Sequence, residues 1–167
     1  MVVASRSFRT ENPTGRRTMT KENQTPYPEA SITERLGRVD LFTGLSRRDL
    51  DRIARCGRAV VHEPDREIVT EGRDGISFHL VLTGSADVEI GGQHRRRLGA
   101  GDYFGEISLL DGKPRTATVR AGSDGLRTFA ITSWEFHSLL RERPEVAQVL
   151  LVTSCARIRD AEYSSSK

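Results

Sequence analysis

The chain has 167 residues, 36% of them hydrophobic and 29% charged, with 26 basic against 23 acidic side chains and a net charge of +3. Domains run to roughly 100–200 residues, so this length fits one compact domain with tails and excludes a large multi-site enzyme. The charge excess is too small to argue for nucleic-acid binding.

Residues 1–6 contain no apolar stretch of signal-peptide type, and no run approaches the roughly 18 apolar residues of a membrane span, so a soluble, cytoplasmic protein without a membrane partner is expected. The two cysteines, Cys56 and Cys155, exclude a disulfide framework or a four-thiolate zinc site by count. Only Lys21, Lys113 and Lys167 are lysine, an arginine bias that fits a GC-rich bacterial genome.

Residues 1–30 are rich in Arg, Thr, Asn, Glu and Pro, lack apolar periodicity and read as a disordered tail. Residues 31–57 read as helical. Ser46 and Asp49 form a capping-box start, Leu50, Ile53 and Ala54 share a face, Cys56 reads as a core thiol, and Gly57 suits the C′ position. Residues 58–132 read as short strands at 58–62, 67–70, 77–82, 86–90, 95–98, 116–121 and 127–131, separated by Gly-, Pro- and Asp-rich turns. Gly91-Gly92 is the clearest hairpin signal. Residues 133–160 return to helical periodicity, with Ser133 as N-cap, Trp134 as a packing residue and Pro144 opening the last helix. That helix carries Val146, Val149, Leu150, Leu151, Val152, Cys155 and Ile158 round most of its circumference, which predicts contact with more than one body and a buried Cys155. Residues 161–167 read as a frayed tail.

The chemistry concentrates between Gly101 and Val119. A short helix opening at Gly105 would offer free backbone N–H groups and the positive end of its dipole, an anion site that a glycine lets a ligand approach closely. Arg115 follows ten residues later across Gly112-Lys113-Pro114, a turn able to bring its guanidinium fork back over the helix end for a bidentate grip on a phosphate. Glu106 is out of place beside a phosphate unless it accepts a hydrogen bond from something else, such as a sugar hydroxyl.

Phe104-Gly105-Glu106, a few apolar residues and Pro114-Arg115-Thr116-Ala117-Thr118-Val119 resemble the phosphate-binding cassette of the cyclic nucleotide-binding domain family, which includes regulatory subunits of cyclic AMP-dependent protein kinase, cyclic nucleotide-gated channels and catabolite activator-type regulators. The resemblance extends over Leu41-Phe42, Glu71-Gly72, Gly75, residues 80–84, Leu98-Gly99, Gly101-Asp102 and Leu139-Leu140, so it covers residues 31–160. It implies a mainly β fold with flanking helices: an eight-stranded, jelly-roll-like β-roll with helices before and after it. It implies that Arg115 pairs with the exocyclic phosphate oxygens, that Glu106 and the Gly105 backbone take the ribose 2′-hydroxyl, and that backbone N–H groups near Ser108 and Thr116 complete the phosphate cage. With Ile107 and Ala117 these make up the expected ligand-binding set. The sequence departs from the family at Ile76, where an Asp is often found.

Other readings were weighed on the same residues. An Arg and a Glu nine residues apart are, without the motif, more often a surface ion pair. A cupin-like metal enzyme needs a His-x-His with a following Glu on one strand, and His62, His79, His94 and His137 contain no such pair. Trp134 as a base-stacking residue is the alternative to packing. Arg95-Arg96-Arg97 should alternate across a strand, giving a solvated edge and no continuous patch. The resulting expectation is a stand-alone, non-enzymatic receptor module in signal transduction. It needs no cofactor, binds cyclic AMP in preference to cyclic GMP, and acts through an effector protein or as a homodimer through its C-terminal helix. A degenerate domain serving as a docking scaffold is the alternative. Only seven residues follow Asp160, so no DNA-binding helix-turn-helix, and hence no specific DNA partner, is expected.

Overall fold

A computed structural model describes residues 29–165. The tail expected at 1–30 lies outside them except for its last two residues, which belong to helix α1 (Glu29–Leu36). A 3₁₀ turn (Asp40–Phe42) and α2 (Arg47–Arg55) follow. Ser46 caps α2 by accepting from the Asp49 backbone N–H at 3.2 Å and donating to its carboxylate at 2.6 Å. Gly57 is not the left-handed C′ residue expected of it. It opens strand β1 (Gly57–His62), and it is glycine because a Cβ there would overlap the Phe129 ring.

The remaining strands are β2 (Glu67–Val69), β3 (Ser77–Ile90), β4 (Gln93–Leu98), β5 (Tyr103–Phe104) and β6 (Thr118–Thr132), with α3 (Glu106–Asp111) between the last two. All pair antiparallel in the order β1-β6-β3-β4, with β2 on β6 and β5 on β3. Two expected strand pairs are single bent strands: 77–82 with 86–90 is β3, and 116–121 with 127–131 is β6, which begins at Thr118. The register slips at Val81/Thr83 and again at Gly84/Ala86, so each long strand turns a corner without losing its partner. The corner is made by close backbones: Gly84 and Gly125 both have positive φ, and a Cβ on Gly84 would overlap the Gly125 carbonyl. The sheet therefore has six strands where eight were expected, because β3 and β6 each run through a bend unbroken. Gly91 and Gly92, with φ of 60° and 73°, form the tight hairpin turn between β3 and β4.

Bending sorts side chains into two cores. Phe78, Leu80, Leu82, Phe129 and Ile131 face the helices, where they meet Leu36, Leu41, Phe42, Ile53, Phe136 and Leu150; Phe42 and Phe78 pack edge to face at 5.6 Å. Val81, Ala86, Val88, Leu98, Phe104, Val119 and Ala121 fill the inside of the roll. The inward residue is odd-numbered at Val81 and even-numbered at Ala86 and Val88, which is what the intervening register slips require.

After β6, α4 (Ser133–Glu142) is capped by Thr132, not Ser133: the Thr132 hydroxyl accepts from the Glu135 N–H and donates to its carboxylate. Helix α5 (Pro144–Ser165) begins at the expected proline. Two expectations fail in these helices. Trp134 is 77% exposed, with the Arg141 guanidinium 5.9 Å above its ring, because the core-facing stripe of α4 is carried by Phe136 and Leu139. Cys155 is exposed, since α5 turns Val146 and Leu150 inward and leaves Leu151, Val152 and Ile158 facing out. Cys56 is half-buried and burial pushes its thiol up, in keeping with a packed, unreactive role.

Candidate functional site

Arg115 is the organising residue. Its backbone is clamped on the 70–73 turn by two 2.8 Å hydrogen bonds, Gly72 N–H to Arg115 O and Arg115 N–H to Arg73 O. Its side chain is only 6% exposed. The guanidinium donates from Nη1 to the Gly105 carbonyl at 3.2 Å and from Nη2 to the Ser77 carbonyl at 2.5 Å, while Nε is buried without a protein partner. A buried guanidinium with donors to spare is a site for an anion, because burial strengthens its field and leaves desolvated N–H groups to be satisfied. Burial pulls its proton affinity down and Glu106 pulls it up, but an arginine keeps its charge.

Two glycines make room for this side chain. A Cβ on Gly75 would overlap Arg115 Nε, and one on Gly105 would overlap Arg115 Nη1 and crowd the Ser77 carbonyl at 2.5 Å. Gly105 also has φ 83°, the left-handed conformation that starts α3. The close approach expected at Gly105 is therefore made by the protein's own arginine. Gly75 does not have positive φ, so its requirement is purely spatial. Gly75→Ala should displace the guanidinium and lower anionic-ligand affinity by about tenfold or more, with near-native far-UV circular dichroism, because one misdirected charge-assisted hydrogen bond is worth about 1.5–3 kcal/mol.

A cleft of about 230 Å³ opens beside Arg115. It is slightly below the usual 300–1,000 Å³ of small-ligand sites and fits one compact ligand. All seven expected residues line it: Gly105, Glu106, Ile107 and Ser108 from the start of α3, and Arg115, Thr116 and Ala117 from the approach to β6. Ser108 is buried, whereas Ile107 and Thr116 are exposed at the rim. Cation, helix start and carboxylate are thus at one end. The rest of the lining is largely apolar, with Val69, Val88, Ile90, Phe104 and Val119. These wall residues were not read from the sequence as site residues; the alternation Val88, Ile90 ahead of the Gly91-Gly92 turn was the available signal.

Arg95 and Arg96 complete the lining; they lie on the exposed edge strand expected of them, but do not alternate across it as expected. Val88 pairs with Arg96 but Glu89 pairs with His94, so Arg95 is an extra residue in β4. This bulge cancels the strand's alternation and lets two consecutive arginines border one cleft. Arg97 is held on the outside by Asp87, at 2.8 and 2.9 Å.

Behind Arg115 lies a buried polar group. His79 is 6% exposed, stacks on Phe104 with ring centroids 4.8 Å apart, and has its pKa lowered to about 3 by desolvation first, then by His62 and Arg115. Its Nε2 is 2.8 Å from Ser77 Oγ and its Nδ1 is 3.1 Å from Thr128 Oγ1, which in turn is 3.0 Å from His62 Nε2. Burial and Arg66 lower the pKa of His62 as well. Among the described residues no cluster of His, Cys, Asp and Glu is able to hold a metal ion.

The arrangement defines a ligand-binding domain: a β-roll with a cleft that pairs an anion-seeking arginine and helix start with apolar side chains. A family model for the cyclic nucleotide-binding domain matches residues 59–143, and the chain belongs to that family. The cAMP-dependent protein kinase regulatory subunit of Yarrowia lipolytica is 38% identical over 88 residues, 52% of this chain and 24% of the relative. The cGMP-dependent protein kinase of Toxoplasma gondii is 30% identical over 101 residues, 60% of this chain and 10% of the relative. The chain therefore spans a quarter or less of either protein. The N-terminal domain of a transcriptional regulator from Streptomyces coelicolor superposes with a TM-score of 0.69 at 26% identity, covering 78% of this chain and 93% of that one. The family is one of ligand-binding modules. No helix among the described residues is long and apolar enough to cross a membrane.

Proposed function

We propose that the chain is a receptor for a cyclic nucleotide, cyclic AMP in preference to cyclic GMP, acting by binding and not by catalysis. The observation that carries this is the convergence of Arg115, the start of α3 and Glu106 on one cleft whose remaining lining is largely apolar. The cyclic phosphate lies against Arg115 and the α3 amides, the ribose 2′-hydroxyl donates to Glu106, and the base lies along Val69, Val88 and Ile90. Thr116, exposed at the rim, carries a hydroxyl placed to reach a guanine amino group. A single neutral hydrogen bond contributes only about 0.5–1.5 kcal/mol, too little for strict guanine selection, and this supports the preference for cyclic AMP.

Calorimetric titration with cyclic AMP, cyclic GMP and linear AMP tests the proposal. Binding of both cyclic forms with cyclic AMP tighter is expected. A tenfold preference for cyclic GMP would reverse the ligand, and no binding of either would leave a docking scaffold. Glu106→Gln should weaken cyclic AMP but leave a 2′-deoxy analogue nearly unchanged, since the analogue has no hydroxyl to donate; equal losses for both would remove Glu106 from the ribose contact.

The output runs through α5, to an effector protein or a second copy of the chain. Leu151, Val152 and Ile158 are exposed there, opposite the buried Val146 and Leu150, so the helix has an apolar face to exchange if ligand shifts it. Amide hydrogen exchange over residues 146–158 should change on adding cyclic AMP. Identical protection would make the domain a passive binder.

A further inference from the structure

The polar chain behind Arg115 runs from the cleft to the β1 side of the sheet through Ser77, His79, Thr128 and His62. Arginine only donates hydrogen bonds. Its Nη2 lies 3.4 Å from Ser77 Oγ, so the guanidinium charge repels the Ser77 hydroxyl proton and attracts the oxygen lone pair. The proton must therefore point to the other neighbour of that oxygen, His79 Nε2 at 2.8 Å. A second cation beside Arg115 in a buried site is disfavoured, and His79 is neutral. With Nε2 accepting, its single ring proton sits on Nδ1 and donates to Thr128 Oγ1, which leaves the Thr128 proton for His62 Nε2. Every hydrogen bond then runs in one direction, away from the guanidinium. The charge of Arg115 alone fixes that polarity.

We propose that His79 is a positioning residue for Arg115: as the neutral Nδ1–H tautomer, it accepts the Ser77 hydroxyl proton at Nε2 and holds the Ser77 oxygen and carbonyl toward the guanidinium. Ser77 opens β3, where its hydroxyl proton, turned away from the cation, would lack an acceptor without His79 Nε2. The stack of His79 on Phe104, itself a wall of the cleft, holds the ring in the plane this needs. The hydrogen bonds that hold the Arg115 guanidinium thereby go to carbonyls and a hydroxyl, and its charge stays available to the ligand. The inference rests on the reading of Arg115 as the phosphate ligand.

Long-range ¹H–¹⁵N spectra of the ligand-free protein at pH 7.5 should show both His79 and His62 as Nδ1–H tautomers. An Nε2–H tautomer at His79 would overturn the proposal. His79→Leu should weaken cyclic AMP binding by about tenfold and speed solvent exchange of the Arg115 guanidinium protons, whereas His79→Gln, whose amide oxygen can accept from Ser77, should restore much of both. Ser77→Ala, at a half-buried position, gives the same loss if His79→Leu does not fold. Affinity and guanidinium exchange equal to wild type in His79→Leu, or in Ser77→Ala, would overturn the positioning role. Wild type that fails to bind cyclic AMP would instead refute the receptor reading, while the tautomers and the guanidinium exchange still decide the role of His79.

Discussion

Arg115→Ala should lower cyclic AMP affinity by on the order of 100-fold or more. Two charge-assisted hydrogen bonds of about 1.5–3 kcal/mol each lose their donor, and a factor of ten in Kd corresponds to about 1.4 kcal/mol. The same substitution leaves the Gly105 and Ser77 carbonyls without their guanidinium partner, so some loss of stability accompanies it, but Arg115 is a member of neither apolar core and the fold should persist. Arg115→Lys separates the two effects. A single ammonium keeps the charge but cannot span two carbonyls and a phosphate at once, so affinity should fall between wild type and the alanine variant. Wild-type affinity in Arg115→Ala, measured by calorimetry, would remove the phosphate from this site.

The second large effect is on folding as a function of pH. His79 titrates near 6.5 when exposed and near 3 in the fold. Between these values the unfolded chain binds a proton that the folded one refuses, so stability is full above pH 6.5 and declines as pH falls toward 3. From pH 6.5 to 5 the loss from His79 alone is about 1.5 kcal/mol. His62, with its pKa lowered too, acts in the same direction. The carboxylates that ion pairs and hydrogen bonds hold low, Asp49, Asp87, Glu67 and Glu145, begin to contribute only at more acidic pH, which leaves this window to the histidines. Urea unfolding at several pH values should show the slope in wild type and a shallower one in His79→Gln. A flat profile would show that His79 is not buried neutral.

Local signals made the site legible. Every expected ligand-binding residue lines the cleft, because Gly105 to Ala117 is one continuous stretch whose helix start and returning arginine are set by nearby turns. The apolar wall and Arg95 and Arg96 come from β2 to β6, and only strand register brings them together. A bulge is a property of two paired strands, so no reading of residues 93–98 alone could have cancelled the alternation of the arginines. The bends of β3 and β6 were misread as breaks for a related reason: a glycine that ends a strand and one that turns a corner look alike until the partner strand is known. β5 is two residues long and gives no periodicity to detect. Trp134 and Cys155 were assigned by hydrophobicity, but which stripe of a helix faces the core is decided by what packs against it, and both lie on the outer stripe.

The extra residue at Arg95 also sets how fast an anion arrives. Among the described residues no ion pair holds Arg95 or Arg96, so their charges project into solvent at the mouth of the cleft, whereas that of Arg115 is buried beneath. Exposed charges act over about a Debye length, roughly 10 Å at 0.1 M salt, and are screened beyond it; buried ones are much less affected. Capture and retention of a phosphate-bearing ligand are thereby divided between two sets of arginines. Raising ionic strength slows encounter at the rim while leaving the residence time, governed by the desolvated guanidinium inside, nearly constant.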